Sequence, residues 1–105
     1  MLVVRKWSGL IRSADREIYA RYVSETGGED YARCTGNAGA EVHTRDLGNG
    51  TSEIVTLSWW SSLLDIKRFA GDDVTLARYY PRDDQYLLRR PVHVEHFEVA
   101  HRVGK

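Results

Sequence analysis

The residues best equipped for chemistry are four histidines, three tryptophans, six tyrosines and a lone cysteine. His93 and His96 stand three apart in a run of β-branched residues, Val92 to Val99. On a strand, residues three apart point to opposite faces, so the two cannot chelate one metal. His43 and His101 have no acid or cysteine pattern nearby, and no metal is expected. Cys34 cannot form an internal disulfide or start a paired-cysteine metal site, and it reads as a loop thiol. His96, among valines, has the type and setting of a partly buried acid or base near neutral pH; a merely hydrogen-bonded histidine fits as well.

Trp60 closes an alternating run, Thr51 to Trp60. Alternation puts Ile54, Trp60, Val94 and His96 on one side of a sheet and Val55, Leu57, Trp59, Phe97 and Val99 on the other. Trp60 and His96 are the expected catalytic pair: a flat aromatic stacks on Trp60 while His96 takes a phenolic proton. Packing against a second subunit explains the same two residues, and both readings stay open at this stage. Trp7, Phe69, Tyr79 and Tyr86 are the expected secondary ligand-binding residues. The tyrosines flank Pro81-Arg82-Asp83-Asp84, which Pro81 keeps from continuing as helix. No glycine-rich phosphate loop, zinc-protease, serine-hydrolase or calcium-loop pattern is present, so no cofactor is expected.

The elements that must position these side chains follow from period and punctuation. Leu2 to Ile11 reads as a strand. Ser13 caps a helix with Asp15 and Glu17 in its first turn, and Ile18, Tyr19, Tyr22 and Val23 on one face. Gly27-Gly28 is expected to stop it, leaving 29–38 as a loop. Ala40 to Leu47 and Thr51 to Trp60 are strands joined at Gly48-Asn49-Gly50. Ser61 caps a second helix bearing Leu63, Ile66, Phe69 and Ala70, which Gly71 ends, and the last strand is expected over Val92 to Arg102. The order β-α-β-β-α-β is the ferredoxin-like α+β arrangement, a four-stranded antiparallel sheet with both helices on one face. The reading places the helices over Val55, Leu57, Trp59, Phe97 and Val99. The other face would then be an exposed apolar patch, which two-fold pairing with a second copy covers.

Bulk properties bound the rest. At 105 residues the chain is one domain, 1–105. Lys+Arg and Asp+Glu are 15 each and interleaved, which argues against a nucleic-acid partner. Arg5 and Lys6 break the opening apolar run, and no stretch is long enough to span a bilayer. With one cysteine, the expected location is the cytoplasm.

Several segments together resemble a known group. They are Leu57-Ser58-Trp59-Trp60-Ser61-Ser62, Ile66, Phe69-Ala70-Gly71-Asp72-Asp73, Ala77 to Asp84, Val92 to Val99, Trp7-Ser8-Gly9 and Gly36-Asn37-Ala38-Gly39. The chain resembles small bacterial proteins of the dimeric α+β barrel superfamily, those similar to antibiotic biosynthesis monooxygenases. The resemblance implies a homodimer with back-to-back sheets and a pocket between sheet and helices in each subunit. It also implies a cofactor-independent monooxygenase acting on an aromatic or phenolic small molecule. In relatives the pocket uses Asn, Trp, Tyr and Arg side chains; Trp60 matches the strand tryptophan, and Asn37 falls in a loop. Haem-binding members use a histidine on the second helix, and residues 62–78 contain none. The alternative is a non-catalytic ligand-binding or stress-response module of the same fold.

Overall fold

A computed structural model describes residues 2–104. Strand β1 (Val3–Arg12) opens the chain. A short 3-10 turn then leads into helix α1 (Arg16–Val23), a π-helical turn (Ser24–Gly28) and helix α2 (Glu29–Arg33). Strands β2 (Asn37–Gly48) and β3 (Thr51–Trp60) form a hairpin, followed by helix α3 (Leu63–Ala70), strand β4 (Leu87–Arg89) and strand β5 (Glu95–Glu98). The hairpin turn places Asn49 and Gly50 at φ 54° and 77°, the pair of positive values a two-residue turn of matching twist requires.

The sheet order is β2-β3-β1, with β4 and β5 both on the far side of β1, all antiparallel. This is the ferredoxin-like order with its fourth strand in two pieces, five strands where four were expected. β4 meets β1 at Leu10 and Ile11, and β5 meets it at Val3 to Lys6. Between the pieces stands Pro91, which has no N–H to donate to a ladder. The last strand is therefore Glu95–Glu98, far shorter than the expected Val92 to Arg102.

Two helix boundaries also differ. Gly27-Gly28 does not stop the first helix: Gly28 sits at φ −60°, ψ −46°, and the chain stays helical to Arg33. Each glycine costs about 1 kcal/mol against alanine in a helix. Tyr31 on the continuation offsets this, being buried with its ring 4.6 Å from Phe69 and 5.7 Å from Trp60. The cap of α3 is Ser62, one residue later than expected, its Oγ accepting from the Asp65 amide.

The largest correction concerns the faces of the sheet. The two sets of side chains separate as alternation requires, but the helices cover the opposite set. Val3, Arg5, Trp7 and Ile11 of β1, and Ser52, Ile54, Thr56, Ser58 and Trp60 of β3, are all buried on the helical side. Val55, Leu57 and Trp59 lie on the uncovered side, as does Phe97, which is 52% exposed. The reason is compositional. The covered face of β3 alternates apolar residues with Ser52, Thr56 and Ser58, whereas the open face carries Val55, Leu57 and Trp59 in a row, and hydrophobicity alone favours the wrong side. The interior hydroxyls are satisfied locally: Trp60 Nε1 donates to Ser58 Oγ at 2.8 Å, and Ser52 and Ser13 hydroxyls meet at 2.7 Å. The molecule is a slab of 39 × 33 × 21 Å with 6691 Å² of surface, above the roughly 6,000 Å² of a compact chain of this mass.

Candidate ligand cavity

The buried side chains form two clusters on the covered face. One holds Trp7, Ile11, Tyr19, Val23, Ile54, Tyr86 and Val94; the other holds Val3, Tyr31, Trp60, Ile66 and Phe69. A cavity lies where the two meet. Its volume is about 40 Å³, inside a cleft whose empty space, open mouth included, is about 450 Å³.

Each wall traces to an element. β1 contributes Arg5 and Trp7 by alternation, and β3 contributes Thr56. Gly9 makes room for Trp7: a Cβ there would come within 2.9 Å of both the Trp7 and the Leu87 side chains. α1 supplies Tyr19 and Val23, one helical turn apart, and the π-helical turn supplies Thr26 and Gly27. Such turns inside α-helices are frequent at functional sites. α2 supplies Tyr31 and α3 supplies Phe69. The irregular segment after α3 closes the cavity with Arg78, Tyr79, Tyr80 and Asp83, and Val94 completes it.

The polar groups are tightly assigned. Tyr19 donates its hydroxyl to Asp83 Oδ1 at 2.9 Å, and the Tyr80 amide donates to Asp83 Oδ2 at 2.7 Å. Tyr80 donates its hydroxyl to Asp30 at 2.5 Å, tying the irregular segment to α2. Trp7 Nε1 donates to the Tyr79 hydroxyl at 3.2 Å, which in turn donates to the Pro91 carbonyl. Burial raises the pKa of all three phenols, and carboxylates reinforce this at Tyr19 (Asp83) and Tyr80 (Asp30). At neutral pH these tyrosines are donors, not bases.

Arg5 stands at the seam of the two clusters, 1% exposed. Its Nη1 donates to the Val74 carbonyl at 2.8 Å and to His96 Nε2 at 3.2 Å, and its Nη2 donates to the Leu76 carbonyl at 3.0 Å. Arginine is only a donor, so His96 Nε2 is an acceptor and its proton sits on Nδ1. Burial first, and the Arg5 charge second, lower the His96 pKa, so the ring is neutral at pH 7.

Of the expected site residues, the structure brings Trp7, Phe69 and Tyr79 to the cavity wall. Trp60, fully buried, is not on the wall; it packs behind it against Tyr31 and Phe69. Tyr86 likewise packs behind Tyr19, ring centroids 5.0 Å apart. His96 reaches the cavity only through Arg5. Trp60 and His96 do share a face, but β1 runs between them. Trp60 pairs with Val3 and His96 with Arg5, which sets their backbones about 12 Å apart. One small ligand does not span that gap while also passing Arg5.

Sequence reasoning missed Arg5, Tyr19, Tyr31, Arg78, Tyr80 and Asp83 as wall residues. A signal existed for Arg5: it has the parity of Val3, Trp7 and Ile11, a charge placed on the apolar set of its strand. Tyr31 carried no such signal, because its helix was read as a loop.

No protein-family model matches the chain, and a search of curated proteins returns no significant match. Solved structures do match over its whole length. A Bacillus cereus protein described as a candidate antibiotic biosynthesis monooxygenase superposes with a TM-score of 0.67 at 15% identity, covering 99% of this chain and 98% of that one. Rv0793 from Mycobacterium tuberculosis superposes with 0.66 at 16% identity, covering 99% and 100%. SnoaB, a cofactor-independent oxygenase from Streptomyces nogalater, superposes with 0.59 at 11% identity, covering 99% and 96%. The chain therefore shares the ferredoxin-like α+β fold of these solved proteins. No helix among the described residues is long and apolar enough to cross a membrane.

Proposed function

We propose that the chain is a cofactor-independent monooxygenase that acts on an aromatic, phenolic small molecule held between the sheet and the helices. The observation that carries this reading is the wall itself: Trp7, Tyr19, Tyr31, Phe69, Tyr79 and Tyr80 converge on one cavity, in a fold shared with SnoaB. Aromatic faces bind a flat ring, and a few fixed polar groups orient it. The substrate supplies the electrons. Once deprotonated, an activated ring carbon reduces dioxygen directly, so that a CH₂ group and O₂ give a C=O group and water. The protein's part is to orient the ring and exclude bulk water, since the hydroxyls of Tyr19, Tyr79 and Tyr80 are already spent on Asp83, the Pro91 carbonyl and Asp30. His96 serves this reading by holding Arg5, and Trp60 by holding Phe69.

A second reading is a binding module without catalysis. What favours it is that Tyr19, Tyr79 and Tyr80 on the wall are held protonated and His96 Nε2 is already engaged by Arg5. Oxygen uptake with a panel of anthrones and hydroquinones separates the two. Turnover that falls at least tenfold in Trp7→Ala supports the enzyme. Melting shifts with the same compounds and no oxygen uptake support the module.

In either case the chain is proposed to work as a homodimer, paired through the open sheet face bearing Val55, Leu57, Trp59 and Phe97, and to reside in the cytoplasm. Sedimentation at micromolar concentration is expected to give about 24 kDa, twice the 12.0 kDa chain. A monomer at that concentration overturns the pairing.

A further inference from the structure

Arg5 raises a problem of charge. A guanidinium taken out of water is costly unless an anion accompanies it. Among the described residues no carboxylate lies within ion-pair distance of Arg5, although seven other lysines and arginines do pair with one. Its three hydrogen bonds go to two carbonyls and a neutral imidazole. Of its five N–H groups, both on Nη1 and one on Nη2 are engaged. The Nε–H is buried with no partner at all.

The other charges of the cavity deepen the imbalance. Arg78 is a second cation on the wall, its Cζ 4.9 Å from the Phe69 ring centre, with Arg5 Cζ 5.8 Å from the same ring. Arg78 has Asp30 nearby at 4.0 Å. Asp83 is the one carboxylate on the wall, and its two oxygens are taken by Tyr19 and the Tyr80 amide. Two cations against one acid leave the wall at net +1, and the charge without a counter-ion is the one at the centre.

We infer that the ligand of this cavity is an aromatic oxyanion, a carboxylate or phenolate whose negative oxygen accepts the unspent N–H groups of Arg5. This rests on the aromatic-cavity reading above and narrows it to anionic ligands. Tethering of the 74–76 backbone and of the His96 ring explains the three bonds that Arg5 makes, but not the unmatched charge or the idle Nε–H. A charge-assisted bond in a dry site is among the stronger single contacts available to a ligand.

The test compares naphthoate with naphthamide, of nearly equal shape, by calorimetric titration of the full chain, and adds para-nitrophenol, whose phenolate is read by its visible absorbance. Wild type is expected to bind naphthoate at least about tenfold more tightly than naphthamide, and to lower the apparent pKa of bound para-nitrophenol. Arg5→Gln is expected to bring the two naphthyl ligands to within about twofold of each other, chiefly by weakening naphthoate, and Arg5→Lys to restore part of the preference. Equal affinity of wild type for naphthoate and naphthamide, with no shift of para-nitrophenol, overturns the anion assignment and leaves the aromatic cavity standing. Absence of binding by all three overturns the cavity reading and this inference together. A preference that survives in both Arg5 variants overturns the role of Arg5. Should Arg5→Gln fail to fold by circular dichroism, the wild-type comparison and Arg5→Lys still decide.

Discussion

Two ends of one sheet face are built from the same kinds of residue and do different things. At the end of β1 that holds Val3, the side chains of Trp60, Tyr31, Ile66 and Phe69 close on each other and seal Trp60 completely. At the Trp7 end, Tyr19, Val23, Tyr79 and Val94 stand back far enough to leave a cavity. What differs is the layer above. Over Trp60, α2 and α3 supply Tyr31, Ile66 and Phe69 from regular helix. Over Trp7 the cover is a π-helical turn with two glycines and a segment without regular structure, held by hydrogen bonds from Tyr19, Tyr80 and Tyr79. Regular helices bring large side chains into interdigitated packing; turns held by polar contacts leave gaps. Aromatic residues alone therefore do not mark a site; the element that covers them decides.

The strongest way to break this contrast is at the closed end. Trp60→Ala is expected to cost about 3–5 kcal/mol of stability by urea denaturation, the range for removing a large buried ring. A loss below about 1 kcal/mol would mean that this end is not tightly packed. At the open end the cost should come from polar groups instead. Tyr19→Phe keeps the ring against Tyr86 but leaves buried Asp83 Oδ1 without its donor, for an expected loss of about 1–3 kcal/mol. That corresponds to roughly 4–8 °C in melting temperature per kcal/mol for a domain near this size. An unchanged melting temperature would show that the Asp83 clasp does not hold the cover.

The smallest effect belongs to the joint between the ends, and it depends on pH. Folding lowers the His96 pKa, chiefly by burial and then by Arg5, so the unfolded chain binds this proton more readily than the folded one. The stability tied to neutral His96 is present in full above about pH 6.5, the ordinary histidine value, and is lost as pH falls through the lower folded value. Melting followed from pH 7.5 down to about pH 5 should decline more steeply for wild type than for His96→Gln. Parallel curves would show that no pH-linked stability resides in His96.

Much of the fold was legible because it rests on local rules. Gly48-Asn49-Gly50 specified its hairpin turn, β3 was read with the observed bounds, and Gly71 ended α3 at φ 94° as a residue without a Cβ can. The site was legible only in part. Trp7, Phe69 and Tyr79 were named because they are aromatic. Tyr31 was hidden by the assumption that paired glycines stop a helix, an assumption that fails once a buried ring offsets their cost. Tyr80 and Asp83 lie in an irregular segment, where no periodicity tells which side chains point inward.

The pairing of β2 with β3 and the division of each strand into two faces follow from the sequence alone, because turn residues and the two-residue period are properties of neighbours along the chain. Which face the helices cover was decided only by the tertiary structure. Period distinguishes the faces without naming them, and here Ser52, Thr56 and Ser58 made the covered face look the more polar. Tertiary structure also decided that Arg5, one of fifteen lysines and arginines on a neutral chain, would be buried without a carboxylate beside it on the wall of an aromatic cavity. Charge is counted along the sequence, but whether a charge is compensated depends on what the fold brings beside it.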